Sequence, residues 1–332
     1  MNSSNPGNPI RRREAIRKTI LFSTGLLTAG RFNLLRGQTP RTDFSGKGFH
    51  LLAIGDFGTG NENQRAVAAQ MAEFSKKLDV PLSGVLALGD NFYSKLTTER
   101  FGRHFEDMYS KAALNCPFYA CLGNHDYGPL YDSSQGRPKA QIQLDYAKNN
   151  PSSRWKLPAK WYALELPDAQ NPLVKIIFLD GSMFEGALTP QEKLEQSRFL
   201  EAELKKETRA PWRWMASHYP LFSDGVKRDS RRLIEQWGGH LKSHPISLYL
   251  SGHDHNLQHL QAEGYNTSFV VSGAGGAGLY VVRPSARGFS EKMLGFTHIH
   301  VTSDCVQVQF IDAQGNLLHA FRRTLSGKVE SA

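Results

Sequence analysis

Cysteine is scarce in this 332-residue chain: Cys116, Cys121 and Cys305 are the whole supply. Three thiols allow at most one intramolecular disulfide, which excludes a small scaffold held together by several cystines. Cys116 and Cys121 flank residues 117–120. In an extended strand they would lie roughly 16 Å apart on opposite faces, too far to bridge. Cys305 could pair with either, and spacing does not decide; the other reading is three small buried hydrophobes. Long apolar runs are also missing. No segment offers the roughly 20 apolar residues that a bilayer-spanning helix needs. No internal repeat or low-complexity tract is evident, which argues against a solenoid or a structureless chain.

Acidic residues are in deficit, with 31 Asp and Glu against 40 Lys and Arg, a formal charge of +9. Such a balance can signal a nucleic-acid or membrane partner. Here most of it belongs to residues 1–40, where seven basic residues face only Glu14; about +3 is left for everything else. Nucleic acid is therefore not expected as a partner. The remaining composition, 40% hydrophobic and 21% charged, suits a soluble globular fold with a substantial core. Residues 41–332 read as one domain.

Residues 1–40 have the layout of an export signal and linker. Arg12-Arg13-Glu14-Ala15-Ile16-Arg17 is followed by a short apolar stretch at 19–30. The arrangement resembles a twin-arginine (Tat) signal. It implies passage through the Tat translocase to the periplasm or exterior, with cleavage between Gly30 and Arg41. The alternatives are an uncleaved leader serving as a membrane anchor and an ordinary amphipathic tail.

From residue 50 onward apolar runs alternate with helical stretches. The runs at 50–54, 85–88 and 118–122 read as strands. A stripe of Val67, Met71, Phe74 and Leu78 predicts a helix after the first, and residues 98–113 a helix after the second. This β-α-β-α-β order implies parallel strands with right-handed crossovers, and ligands in such sheets sit beyond the carboxyl ends of the strands. Residues 128–160 read as a long polar loop. Further strands are expected at 161–166, 174–179, 212–217 and 246–251. Thr189-Pro190-Gln191-Glu192 is a capping box that opens a helix to about residue 207. Residues 268–272, 296–302 and 306–311 suggest a second, more antiparallel sheet.

Five short motifs follow these apolar runs: Gly55-Asp56-Phe57-Gly58, Gly89-Asp90-Asn91-Phe92-Tyr93, Gly123-Asn124-His125-Asp126, Ser217-His218-Tyr219-Pro220 and Gly252-His253-Asp254-His255. Singly, each has an ordinary explanation as a turn, a helix cap or a hydrogen-bonded histidine. Together they bring Asp56, Asp90, Tyr93, Asn124, His218, His253 and His255 to strand ends, a mixed oxygen and nitrogen donor set suited to a pair of metal ions. Carboxylate and phenolate oxygens are hard donors that suit Fe(III), and imidazoles with an amide suit a divalent ion. His253 and His255 would project to opposite faces of a strand, so the chain must bend there. Asp126, Asp180 and Asp254 read as supporting carboxylates.

These motifs resemble those of the calcineurin-like metallophosphoesterases. Tyr93, the stretch 249–260 (YLSGHDHNLQHL) and Val270-Val271-Ser272-Gly273-Ala274-Gly275 narrow the resemblance to the small tartrate-resistant purple acid phosphatases, over residues 48–325. The resemblance implies an α/β fold, a four-layer α/β/β/α sandwich of two mixed sheets flanked by helices. It implies Fe(III) on Asp56, Tyr93 and His255, a divalent Fe, Zn or Mn ion on Asn124, His218 and His253, and Asp90 bridging both. His125 matches the family's outer histidine, which holds phosphate and assists the leaving group. Where the family often has a second substrate-side histidine, this chain has Lys227, either a phosphate contact or a solvated surface lysine. The implied activity is phosphomonoester hydrolysis at acidic pH by a metal-bound hydroxide. The substrates would be small phosphate esters, phosphoproteins or nucleotides, and the enzyme a monomer. The competing readings are phosphodiester or nucleotide-anhydride hydrolysis at the same centre, iron redox chemistry, and a binding module that has kept the fold.

Overall fold

The computed structural model describes residues 38–44, 48–128, 139–182 and 187–332. The expected export signal falls almost wholly outside them. The first sheet begins with four parallel strands side by side, β1 (Gly48–Ile54), β2 (Leu82–Leu88), β3 (Phe118–Cys121) and β4 (Trp155–Lys156). Leu51, Leu52, Ala53 and Ile54 are all buried, as expected for parallel strands covered on both faces. Helix α1 (Glu62–Ser75) makes the β1–β2 crossover. It starts at Asn61, whose side chain accepts the Gln64 N–H at 3.0 Å. Val67, Met71 and Phe74 form its buried stripe.

The second sheet contains β5 (Tyr162–Leu166), β6 (Val174–Phe178), β7 (Trp212–Ala216), β8 (Leu248–Ser251), β9 (Leu257–Gln261), β10 (Ser268–Ser272) and β11 (Gly288–Glu291), ordered β11-β9-β10-β8-β7-β6-β5. Its strands alternate between two cores with the period of a pleat. Ile176, Trp214, Leu248, Leu250 and Val270 face the first sheet. Ile177, Met215, Tyr249 and Phe269 face a layer of two helices, α5 (Pro190–Lys205) and α6 (Arg231–Ser243), through Leu200, Leu204, Leu233 and Trp237. The layers are thus helix, sheet, sheet, helix. The capping box starts α5 as expected, with Thr189 Oγ1 accepting Glu192 N–H at 3.2 Å and Glu192 accepting Thr189 N–H at 2.8 Å.

Three expectations are corrected. Residues 268–272 do join the second sheet, but β12 (Gly295–Thr302) and β13 (Cys305–Asp312) extend the first. β12 fills the free edge of β1 in antiparallel register, and β14 (Leu317–Thr324) and β15 (Val329–Ser331) continue the sheet outward. The helix expected at 98–113 stops early, as α2 (Thr98–Phe101) running into a π-helical turn at Gly102–Glu106. The guanidinium of Arg154 takes the carbonyls of Glu106, Tyr109 and Leu114, which a continuing helix would need. Past the short α3 (Asn124–Tyr127), the expected loop at 128–160 contains α4 (Lys139–Asn149) besides β4. A polar contact, Gln143 to Asp126 at 2.9 Å, pins this helix alongside the packing of Ala140, Leu144 and Tyr146 on the core. The three cysteines are free and buried.

One glycine fixes the geometry where β2 ends. Gly89 has φ +84°, and a Cβ there would lie 2.6 Å from Nδ1 of His218. Gly89→Ala is expected to cost roughly 1–3 kcal/mol, from left-handed strain and displacement of the imidazole. Gly239→Ala, in open space on α6, is expected to gain about 0.5–1 kcal/mol. Thermal unfolding of the two variants checks the contrast; equal effects would contradict it.

Candidate metal centre

Five strand ends meet at one place. β1, β2 and β3 of the first sheet lead into Asp56, Asp90 with Tyr93, and Asn124; β7 and β8 of the second lead into His218 and into His253 with His255. Three of these residues are non-glycines in the left-handed region: Asp56 (φ 57°), Asp90 (φ 51°) and His253 (φ 67°). Each such conformation costs on the order of 1–3 kcal/mol and persists where the surroundings over-determine it. The turn at His253 supplies the bend that the His-x-His spacing requires. Its backbone N–H donates to Asp56 Oδ2 at 2.7 Å, tying the second sheet's loop to the first sheet's carboxylate.

Two histidines have their tautomers set by backbone. His218 Nδ1 lies 2.8 Å from the Leu88 carbonyl, and His255 Nδ1 lies 2.7 Å from the Gly278 carbonyl. A carbonyl can only accept, so each Nδ1 carries hydrogen and each neutral ring turns the lone pair of Nε2 inward. For His218 that lone pair meets Asp90 Oδ1 at 3.4 Å and Asn124 Oδ1 at 3.3 Å. For His255 it meets Asp56 Oδ1 at 3.3 Å and the Tyr93 hydroxyl at 3.2 Å. Tyr93 OH is also 3.3 Å from Asp56 Oδ1. His253 Nδ1 is 3.1 Å from Asn124 Oδ1 and 3.2 Å from His218 Nε2. Where acceptor faces acceptor, as neutral His218 Nε2 faces Asp90 Oδ1 and Asn124 Oδ1 and neutral His255 Nε2 faces Asp56 Oδ1, a proton or a cation is needed between them.

The titration behaviour shows the same demand. Burial works against a charged His218, yet the Asp90 and Asp56 carboxylates outweigh it and hold its pKa well above the usual value. Burial also opposes ionisation of Asp90, but His218 and the His125 N–H, 2.8 Å from Oδ1, hold it ionised below the ordinary carboxylate range. Burial, then Asp56 and Asp90, push the Tyr93 phenol far upward. Burial, then His218 and Lys227, push His253 well down. A cation placed here inverts this order, keeping His218 neutral and releasing the phenol proton. The donor set therefore fits metal. Asp56, Asp90 and His255 have ligand atoms within 4.8 Å of one another, a group able to hold one ion. Asn124, His218 and His253 offer a second set, and Asp90 lies within reach of both.

The other expected residues sit around this cluster. His125 is exposed, with its ring 4.5 Å from that of Tyr93. Lys227 stays outside the cluster, its amine 5.7 Å from the Tyr280 ring centre. Asp254 accepts from the Ser223 hydroxyl and from Lys227 N–H, so it secures the 223–230 loop. Asp126 accepts N–H groups of Asn91, Phe92 and Gly123 at 2.9–3.1 Å, which joins the loops after β2 and β3. Asp180 takes the Tyr127 hydroxyl and the Ser182 N–H. Sequence reasoning missed Tyr280, stacked 4.0 Å from His255, and Tyr219, 4.3 Å from His253. Tyr280 belongs to none of the five motifs, so no local signal marked it. Tyr219 is inside one but has no ligand chemistry of its own to single it out.

Residues 49–257 match the calcineurin-like phosphoesterase family. Purple acid phosphatase 17 of Arabidopsis thaliana is 30% identical over 290 residues, 81% of this chain and 82% of that protein. Tartrate-resistant acid phosphatase type 5 of Mus musculus is 30% identical over 302 residues, 80% of this chain and 88% of that protein. Among solved structures, GAP50, the anchor in the inner membrane complex of Plasmodium, superposes with a TM-score of 0.70 at 20% identity, over 83% of this chain and 88% of that one. Purple acid phosphatase PPD1 from yellow lupin seeds gives 0.66 at 17% identity, over 86% of this chain and 55% of that one. At such identities these two speak for the fold. The family match and the acid phosphatase relatives, which this chain spans nearly end to end, speak for the chemistry: the chain belongs to the calcineurin-like phosphoesterases and, within them, to the purple acid phosphatases, a family with a dinuclear metal site.

Proposed function

We propose that this phosphatase is exported, acts on phosphomonoesters at acidic pH, and holds one Fe(III) beside one divalent Fe, Zn or Mn ion. Asp56, Tyr93 and His255 would take the Fe(III), Asn124, His218 and His253 the divalent ion, and Asp90 both. One observation carries the reading: seven side chains from both sheets bring metal-capable oxygen and nitrogen atoms to within 3.1–3.4 Å of their neighbours. The phenolate oxygen that Tyr93 would offer is a hard donor, which supports a trivalent ion there. Such a pair of ions supplies Lewis acidity toward phosphoryl oxygens and acidifies water.

The chain's own groups then divide the remaining work. His125, exposed beside Tyr93, holds a proton for the leaving-group oxygen or donates a hydrogen bond to it. Its backbone N–H fixes one oxygen of Asp90 at 2.8 Å. Lys227 adds positive charge at the rim and contributes to keeping His253 neutral. Asp254 holds the loop that carries Lys227. The twin-arginine leader supports the export part, because that route carries folded proteins and ions inserted beforehand would travel with them.

His125→Ala is expected to lower kcat/KM by about 10²–10⁴-fold, with a larger loss for alkyl phosphates than for p-nitrophenyl phosphate, whose phenolate needs little protonation. Steady-state kinetics with both substrates reads this, and equal losses would deny the proton-donor role. The metal-loaded protein is expected to be purple through Tyr93 bound to Fe(III), and Tyr93→Phe to lose that visible absorption with its circular dichroism unchanged. A colourless wild type containing two zinc or manganese ions would contradict the assignment. Removing the ions with a chelator is expected to lower the melting temperature; ligands at 100 times their dissociation constant stabilise by about 2.7 kcal/mol. An unchanged melting temperature would count against a bound pair.

A further inference from the structure

Tyr93 stands past the end of β2, inside residues 89–97, which form neither helix nor strand. No regular element fixes its backbone, so single contacts must. Its N–H donates to the Gly58 carbonyl at 3.0 Å. The carbonyls of Phe92 and of Tyr93 itself accept from one donor, the ammonium of Lys139, at 2.5 and 3.1 Å. Both peptide groups that flank the Tyr93 Cα are thereby tied down. The Phe92 ring is buried against Phe101 and Trp155, which anchors the stretch a second time. Two residues beyond Tyr93, Lys95 is already exposed.

Lys139 opens α4, and this helix touches the same loop again where Asn91 donates to Gln143 Oε1 at 3.1 Å. Lys139 is only 5% exposed. An ammonium at that depth carries a desolvation cost that a methionine of similar length would not. What the lysine adds is a set of three N–H groups on one rotatable tip, able to reach two carbonyls that no helix or strand satisfies. Hydrogen bonds from a charged donor are roughly twice as strong as neutral ones, so the clamp is stiff for its size. Stiffness matters here because the Tyr93 hydroxyl must stand within reach of the other donors, 3.3 Å from Asp56 Oδ1 and 3.2 Å from His255 Nε2. A working constellation of ligands tolerates displacements of only about 0.5 Å.

This inference rests on the placing of Fe(III) at Tyr93 under the proposed function. We propose that Lys139 is a positioning residue: by clamping the two carbonyls that bracket the Tyr93 Cα, it holds the phenolate on the trivalent ion and leaves the neighbouring divalent site unaffected.

The test compares the wild type with Lys139→Met, Lys139→Arg and Lys139→Gln, each loaded with iron and zinc. Lys139→Met is expected to release iron to a competing chelator about tenfold faster than the wild type, the scale of one lost charged hydrogen bond, while zinc leaves at the wild-type rate. Its visible band should be weaker and displaced. Lys139→Arg, which keeps the charge and the donors, should restore most of the band and of the iron retention. Lys139→Gln, with two N–H donors on a side chain one atom shorter, should fall between, and it carries the comparison if the methionine variant does not fold. A general loosening of the fold would free both metals together, so equal acceleration of iron and zinc release, or an unaltered band, overturns the proposal. In the metal-free protein the Tyr93 amide is expected to exchange hydrogen about tenfold faster in Lys139→Met, and unchanged exchange overturns the clamp. If the wild type is colourless, the iron assignment at Tyr93 fails, while the exchange measurement still decides whether Lys139 holds this backbone.

Discussion

Everything at this centre depends on one electrostatic constraint: lone pairs of buried and half-buried oxygens and nitrogens are held face to face where the two sheets meet. Asp90 Oδ1 and Asn124 Oδ1 lie 3.4 and 3.3 Å from His218 Nε2, and the Leu88 carbonyl prevents that ring from reversing its tautomer while neutral. A folded chain tolerates such a cluster only if the rest of the structure holds it there and something positive relieves it. The holding is visible in the backbone, where Asp56, Asp90 and His253 all occupy left-handed conformations that their side chains disfavour.

The two-sheet architecture gives this constraint its form. The oxygen donors Asp56, Asp90, Tyr93 and Asn124 all follow strands of the first sheet, and the imidazoles His218, His253 and His255 all follow strands of the second. Neither sheet alone can build the centre. The apolar core between the sheets, with Leu86, Leu88, Trp214 and Leu250, therefore acts as part of the site, because it sets how closely the two sets approach. Direct bonds complete the join: Gly55 N–H to the Ser272 carbonyl at 2.7 Å, and the Ser272 hydroxyl to the Ala53 carbonyl at 2.9 Å. The run Ser272-Gly273-Ala274-Gly275 is small for this reason. A Cβ on Gly273 would meet the Asp254 backbone at 2.2 Å and Asp56 Oδ2 at 2.8 Å.

Much of this was legible in the sequence, and what was not has identifiable causes. Apolar runs ending in Gly-Asp, Gly-Asn or Ser-His mark strand ends locally, so the strands carrying the site, and the candidate donors, could be named without coordinates. Sheet membership is a long-range choice: β12 could have joined either sheet, and only the free edge of β1 settled it. Helix α4 went unseen because its apolar stripe is weak, with alanine at 140 and 147 beside Leu144, and polar anchors, Gln143 to Asp126 and Lys139 to the Phe92 and Tyr93 carbonyls, complete its seat on the core. The truncated helix at 98–106 reflects a competitor 48 residues away, Arg154. Tyr280 was illegible for the same reason, since its meaning comes from stacking on His255 with β9 and β10 between them in the chain.

The most direct test is anomalous scattering from crystals of the metal-loaded protein, recorded at the iron edge and at that of the second metal. The account predicts two peaks about 3.5–4 Å apart, with the Asp90 carboxylate between them, Tyr93 on the iron and His218 with His253 on its neighbour. A single peak, or a pair with Asp90 turned away from either ion, would contradict it.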